Sequence, residues 1–158
     1  MAEIKGIFLL DGVVLVPNVS PDRRATTVRI EKLRVVGGDL PGPLSATRTA
    51  TIHIPFEDAK AGVTVRQVVR GFARVSPGAR GVILAQLGGA THQIPIPPPG
   101  SSGEDLVYEA ESTIPAGRIY LATFFLLLER DADRPEFGGD LAIESLDVEI
   151  LAPTPPDA

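Results

Sequence analysis

Arg118-Ile119-Tyr120-Leu121-Ala122-Thr123-Phe124-Phe125-Leu126-Leu127-Leu128-Glu129 is followed, after a charged loop ending in Gly138-Gly139, by Asp140-Leu141-Ala142-Ile143-Glu144-Ser145-Leu146-Asp147-Val148-Glu149-Ile150-Leu151. In the first stretch apolar residues fall on both parities, so a strand here is apolar on both faces. In the second, apolar and acidic residues alternate, which is the period of a strand with one face in water. The pair reads as a central strand, a loop and a closing strand. Phe125, at the middle of the first, is expected to be fully buried.

Working outward, the same period-two pattern recurs between turn signals. Gly6 to Leu10, Asp11-Gly12 and Val13 to Pro17 form a hairpin signal, because Asp-Gly accepts the positive φ angles of a type I′ turn. Thr26 to Val36 changes parity between Ile30 and Leu33, which predicts a β-bulge near Glu31-Lys32. In Arg48 to Phe56, residues Ala50, Ile52, Ile54 and Phe56 face in. In Val63 to Val75, Arg66, Val68, Arg70, Phe72 and Arg74 share one side. The spacing of these arginines also suits a helix, but the β-branched residues and Gly71 favour strand. Ser76-Pro77-Gly78-Ala79 suits a type II turn, and Gly81 to Leu87 is expected to pair back as the second arm. Gln93 to Ile96 reads as a short edge strand, and Leu106, Tyr108 and Ala110 face in on another strand. Nine or ten short strands and no convincing helix predict an all-β, two-sheet antiparallel sandwich of the jelly-roll type. The expected organisation is one domain over residues 1–152 with a disordered tail at 153–158.

The composition agrees. Pro and Gly make up 31 of 158 residues, as many turns between short strands require, and 44% hydrophobic residues argue against disorder. The net charge of −5 argues against nucleic acid as the main partner. Without cysteine, disulfides, thiolate chemistry and Cys-based zinc sites are excluded. The N-terminus has neither a basic segment nor an apolar run long enough for export, and no stretch is long enough to span a membrane. A cytoplasmic or virion-associated location is expected, with no membrane partner. One Asn and one Met, with Arg in excess over Lys, fit a thermophilic source and equally fit GC-rich coding.

Tyr120 to Leu128 and Ile143 to Ile150 together resemble the end of jelly-roll carbohydrate-binding or galactose-binding-like modules, which close with a long apolar strand and an Ile-x-x-Leu-Asp strand. Tyr108-Glu109-Ala110-Glu111 resembles the acidic segment that helps some of those modules hold a structural calcium. The resemblance implies a jelly roll and a glycan or small-molecule ligand. It carries over no binding residue.

The chemistry available is sparse. His53 and His92 are the only histidines, and no nucleophile elbow, phosphate loop or dinucleotide glycine pattern occurs. No catalytic residue and no cofactor are assigned. The loop from Glu129 to Asp140 carries five carboxylates, of which Asp131, Asp133 and Asp140 are weak candidates for calcium. It lacks a ligand register and carries Arg130 and Arg134, so no metal is expected. The stripe Arg66, Arg70, Phe72 and Arg74 could grip carboxylates or phosphates. Cross-strand pairing with Glu109, Glu111, Glu144 and Glu149 is the simpler account. Ile7, Phe8 and Val14 belong to apolar runs too long to be covered by loops of Pro, Gly and Ser, which predicts a contact with a protein partner or with a second copy. The resulting expectation is a non-catalytic structural protein of homo-oligomeric type, for example a virion decoration component. The alternative is a ligand-binding module with a structural calcium.

Overall fold

The computed structural model describes residues 2–5, 7–9, 14–37, 45–57, 62–130 and 138–151. Thirteen strands follow in chain order: β1 (Glu3–Ile4), β2 (Phe8–Leu9), β3 (Val14–Val19), β4 (Ala25–Glu31), β5 (Arg34–Gly37), β6 (Ser45–Ile54), β7 (Phe56–Glu57), β8 (Val63–Val75), β9 (Ala79–Leu87), β10 (Ala90–Gln93), β11 (Glu104–Ile114), β12 (Tyr120–Arg130) and β13 (Gly139–Ile150). That exceeds the nine or ten expected, because the parity change after β4 splits one strand in two and because β1, β2 and β7 have only two residues each. Among the described residues there is no helix, and so none that could cross a membrane.

The strands form two main antiparallel sheets. One has the order β10-β9-β12-β6-β2, and the other β11-β8-β13-β4-β3, with β5 alongside the first half of β13. Apart from β2, β3 and β5, the sheets are β4-β13-β8-β11 and, facing it, β6-β12-β9-β10. Along the chain, β8 lies in the opposite sheet from β6, β9 from β8, β11 from β10, β12 from β11 and β13 from β12. This is the jelly-roll arrangement of eight strands in two sheets.

That arrangement corrects two expected hairpins. In the expected Gly6 to Pro17 hairpin, whose Asp11-Gly12 turn lies outside the described residues, the described arms do not pair with each other: β2 joins β6 in one sheet and β3 joins β4 in the other. The Ser76–Ala79 turn forms as expected, with Gly78 at φ 79 and the Ala79 N–H donating to Ser76 O at 3.1 Å. It does not return β9 beside β8, however, but carries the chain across to the other sheet. The Arg118–Leu151 pair divides in the same way, β12 running in the five-stranded sheet and β13 between β8 and β4 in the six-stranded one.

The expected bulge is present. Lys32 sits at φ 69, between β4, which pairs the second half of β13, and β5, which pairs the first half. β13 is itself irregular here, its register on β8 shifting between Ile143 and Ser145. The Ile143 N–H donates to Leu33 O at 3.0 Å, so backbone pairing continues across the break. Gly71 lies opposite Ile143, and a Cβ on it would collide with the Ala142 carbonyl, so glycine is required on structural grounds.

The core fills the space between the sheets. Val63, Val65, Val69, Ala73 and Val75 point inward from β8, and Gln67 is buried beside them. Gln67 Nε2 donates to Ser112 Oγ at 2.7 Å, and Ser112 Oγ donates to Leu87 O at 3.1 Å. From β12 the inward residues are Tyr120, Ala122, Phe124, Leu126 and Leu128, all buried. Phe125 is therefore on the other side. It is half-buried on the outer face, and the fully buried ring is Phe124. The strand is apolar on both parities because its second face looks out of the sandwich.

Candidate functional site

The two outer sheet faces differ in chemistry. On the six-stranded sheet, Arg66, Val68, Arg70, Phe72 and Arg74 project from β8 between β11 and β13. Register sets their partners. Arg66 lies opposite Glu149, and its Nη2 donates to Glu149 Oε2 at 2.7 Å; its Nε is 3.8 Å from Glu109 Oε1. Arg70 pairs with Asp147. Arg74 Nη1 donates to Ser76 Oγ at 3.3 Å. Phe72 is half-buried beneath Gly103, where a Cβ would strike the ring. The stripe is thus in part a cross-strand ion-pair ladder, of which Asp147 is the member that the alternation did not single out. With side chains 30–49% exposed in the Arg66–Glu149 and Arg70–Asp147 pairs, each pair stabilises by no more than about 1 kcal/mol.

Asp140 belongs to the same face. Arg34 holds both of its oxygens, with Nε donating to Oδ1 at 2.7 Å and the terminal nitrogen to Oδ2. This contact favours the charged guanidinium and raises the Arg34 pKa. A carboxylate engaged on both oxygens is a poor calcium ligand. Asp131 and Asp133 lie outside the described residues, among which no three His, Asp or Glu side chains gather as a metal site. Glu109 and Glu111 face outward on β11. Two depressions of about 500 and 520 Å³ open on this sheet, the first beside Arg66 and Arg70 and the second beside Arg34 and Phe72.

The outer face of the five-stranded sheet is apolar along its middle. β12 presents Leu121, Thr123, Phe125 and Leu127, and β9 presents Val82 and Leu84. Register places Leu84 and Thr49 on either side of Phe125, and Val82 and Thr47 on either side of Leu127. β6 adds Ser45, Thr47, Thr49, Thr51 and His53, and the Thr51 and Thr123 hydroxyls meet at 3.2 Å. Leu121 is 42% exposed; Val82, Leu84, Phe125 and Leu127 are half-buried with no layer over them among the described residues. Among the described residues charge is confined to one end, where Arg80 and Glu129 are opposite each other in register. β12 is central in its sheet, as expected, but reading it as buried on both faces because both parities are apolar concealed this face.

The remaining sequence candidates divide between the sheets. Phe8 pairs in register with His53 at the edge of the apolar face. Ile7 packs against the core. Val14 is on β3, in the other sheet. His53 faces out, whereas His92 faces in and its Nδ1 meets the Tyr108 hydroxyl at 2.9 Å, so the two histidines lie on opposite faces of one sheet.

No protein-family model and no curated protein matches the chain. Solved structures do. Chains from structures of infectious bursal disease virus, strains Gt and Gx, are 14% and 13% identical over 90% and 89% of this chain, both with a TM-score of 0.52. This chain spans 38% and 37% of their length. The enzymatically active domain of bacteriophage CBA120 tailspike protein 4 is 13% identical over 96% of this chain and 19% of its own, with a TM-score of 0.40. The likeness to the virus chains is one of fold.

Proposed function

We propose that this is a non-catalytic structural protein that works through protein–protein contact, and that a second copy of the chain covers the outer face of its five-stranded sheet. The observation that carries the reading is the apolar strip of Val82, Leu84, Leu121, Phe125 and Leu127, flanked by hydroxyls and almost without charge. Leu121 to Glu129 spans about 27 Å along the strand and the five strands about 19 Å across, at roughly 3.4 Å per residue and 4.8 Å per strand. Two such faces packed together bury on the order of 1,000 Å², the lower limit for a specific interface. An uncharged strip packs on its own copy without stranding an ion, which favours a closed two-fold contact. The same fold in chains of a virus structure agrees with a role in assembly and makes a virion decoration or accessory component the finer form of the proposal.

The alternative, a ligand-binding module, draws on the Phe125 ring and its neighbouring Thr49 and Thr123 hydroxyls, which together could receive a sugar. Light scattering separates the two. The expected result is a dimer mass that Leu121→Asp with Phe125→Asp reduces to monomer without loss of the β circular dichroism spectrum. A monomer at 100 µM that binds oligosaccharide through Phe125 overturns the assembly reading in favour of the alternative.

A further inference from the structure

Strand edges are where a sheet accepts another chain, and most of the edges here are blunted. β2 has two residues, β5 and β10 four each, and β10 leads into Pro95; β3 carries Pro17. Short strands and prolines are the usual protection against pairing with another chain. β11 has neither. It runs for eleven residues, pairs with β8 without a register shift from Glu104 opposite Ala73 to Ile114 opposite Val63, and contains no proline. Among the described residues nothing pairs on its other side.

Its two faces specify what would fit there. The residues that β8 turns inward are all buried. On β11 the inward Tyr108 and Ala110 pack against the core but stay half-buried, so the flank of the sandwich is open beside them. Facing outward are Asp105, Val107, Glu109 and Glu111, with Val107 68% exposed. β11 has no lysine or arginine, and among the described residues only Glu109 of its four carboxylates has an arginine within ion-pair distance, Arg66 at 3.8 Å. A second copy of β11 would set carboxylates against carboxylates, which is unfavourable.

We propose that the β11 edge receives an extended segment of a partner protein in which lysine or arginine alternates with apolar residues, added to the six-stranded sheet as a further strand. Main-chain hydrogen bonds supply the pairing, and alternate side chains supply the choice of partner. The cations meet Asp105, Glu109 and Glu111 on the outer face. The apolar residues close the flank over Tyr108 and Ala110. The surface is distinct from the apolar face of the five-stranded sheet, so either proposal can fail without the other.

The test uses the whole chain and a capped eleven-residue peptide alternating lysine and valine, at concentrations where the peptide alone is monomeric. One control peptide carries proline at its centre, and a second has glutamate in place of lysine. Expected are saturable one-to-one binding, shifts and slowed hydrogen exchange at β11 amides, at least tenfold weaker binding by both controls, and weakening with salt. Asp105→Lys with Glu109→Lys and Glu111→Lys should weaken binding of the lysine peptide at least tenfold. The comparison of peptides on the unmodified chain needs no variant to fold. No binding, equal binding of the proline peptide, or perturbation confined to other strands overturns the proposal.

Discussion

Phe124 and Phe125 are neighbours of the same residue type on one strand, and the structure assigns them opposite surroundings. Phe124 is fully buried and lies in register between Ala50 and Ala85. Neither alanine has a side chain that can move into the space left by a lost ring. Phe124→Ala should therefore fall toward the upper end of the ~3–5 kcal/mol typical of such deletions. At about 2–4 °C per kcal/mol for a chain of this size, a loss of about 4–5 kcal/mol should lower the melting temperature by roughly 8–20 °C. Phe125 keeps part of its ring in water, and at about 25 cal/mol per Å² its removal should cost about 1–2 kcal/mol. Urea unfolding followed by circular dichroism measures both, with an unchanged m value as the check that only stability has moved. Because self-association would add a concentration-dependent increment, each variant is unfolded at two protein concentrations. For the unmodified chain the midpoint should rise with concentration, and for Phe125→Ala the rise should shrink. Equal losses for the two variants, or a larger loss at Phe125, would refute the assignment of faces.

Three other expectations follow from single residues. Lys32 holds a left-handed conformation that costs a side-chain-bearing residue about 1–2 kcal/mol, so Lys32→Gly should leave stability unchanged or raise it by up to about 1 kcal/mol after glycine's own entropic cost, as read by urea midpoint; a clear loss would mean that the lysine side chain supports the bulge. Among the described residues the buried Tyr120 hydroxyl has no hydrogen-bond partner, and burial pushes its pKa up; Tyr120→Phe should be neutral or stabilising, whereas a loss above about 1 kcal/mol would reveal a hydrogen bond to the hydroxyl. Asp22 accepts from the Ser20 hydroxyl at 2.6 Å and from the Arg24 N–H at 3.1 Å, and these bonds, the Ser20 one foremost, lower its pKa from 3.8. A lowered folded value means that its contribution is complete above pH 3.8 and is lost as the pH falls through the folded value, so Asp22→Asn should flatten the acid limb of the stability profile, and an unchanged limb would contradict this.

The inward and outward sides of most strands were legible from alternation alone. The Val63–Val75 alternation gave the right set of buried residues, and a parity change of one step located the Lys32 bulge. Sheet membership was not legible. A turn such as Ser76–Ala79 demands a reversal of direction, but the same local geometry serves a partner in the same sheet or in the facing one. The choice belongs to pairings made far away in sequence, such as Gly71 with Ile143 and Phe72 with Ala142. For the same reason the alternation supplied most of the acidic partners of the arginine ladder but missed Asp147. The apolar outer face was obscured by an inference valid only for strands covered on both sides.

The position of β13 at the centre of the six-stranded sheet has a kinetic meaning. Its pairing with β4 brings Glu149 beside Ala25 and Ser145 beside Arg29, and its pairing with β8 spans more than half the described chain. Most of that sheet cannot close until this last described strand is available. The barrier is therefore dominated by the entropy of closing long loops, which puts folding in the millisecond-to-second range characteristic of all-β sandwiches. During synthesis β8 would leave the ribosome with its Val-rich inner face uncovered and wait for some seventy further residues, about 4–15 s at the usual ~5–20 residues per second. In that interval the apolar strip on β9 and β12 and the unpaired strand edges are exposed together. Aggregation during synthesis, more than unfolding of the finished protein, is where a weakened β13 would first be felt.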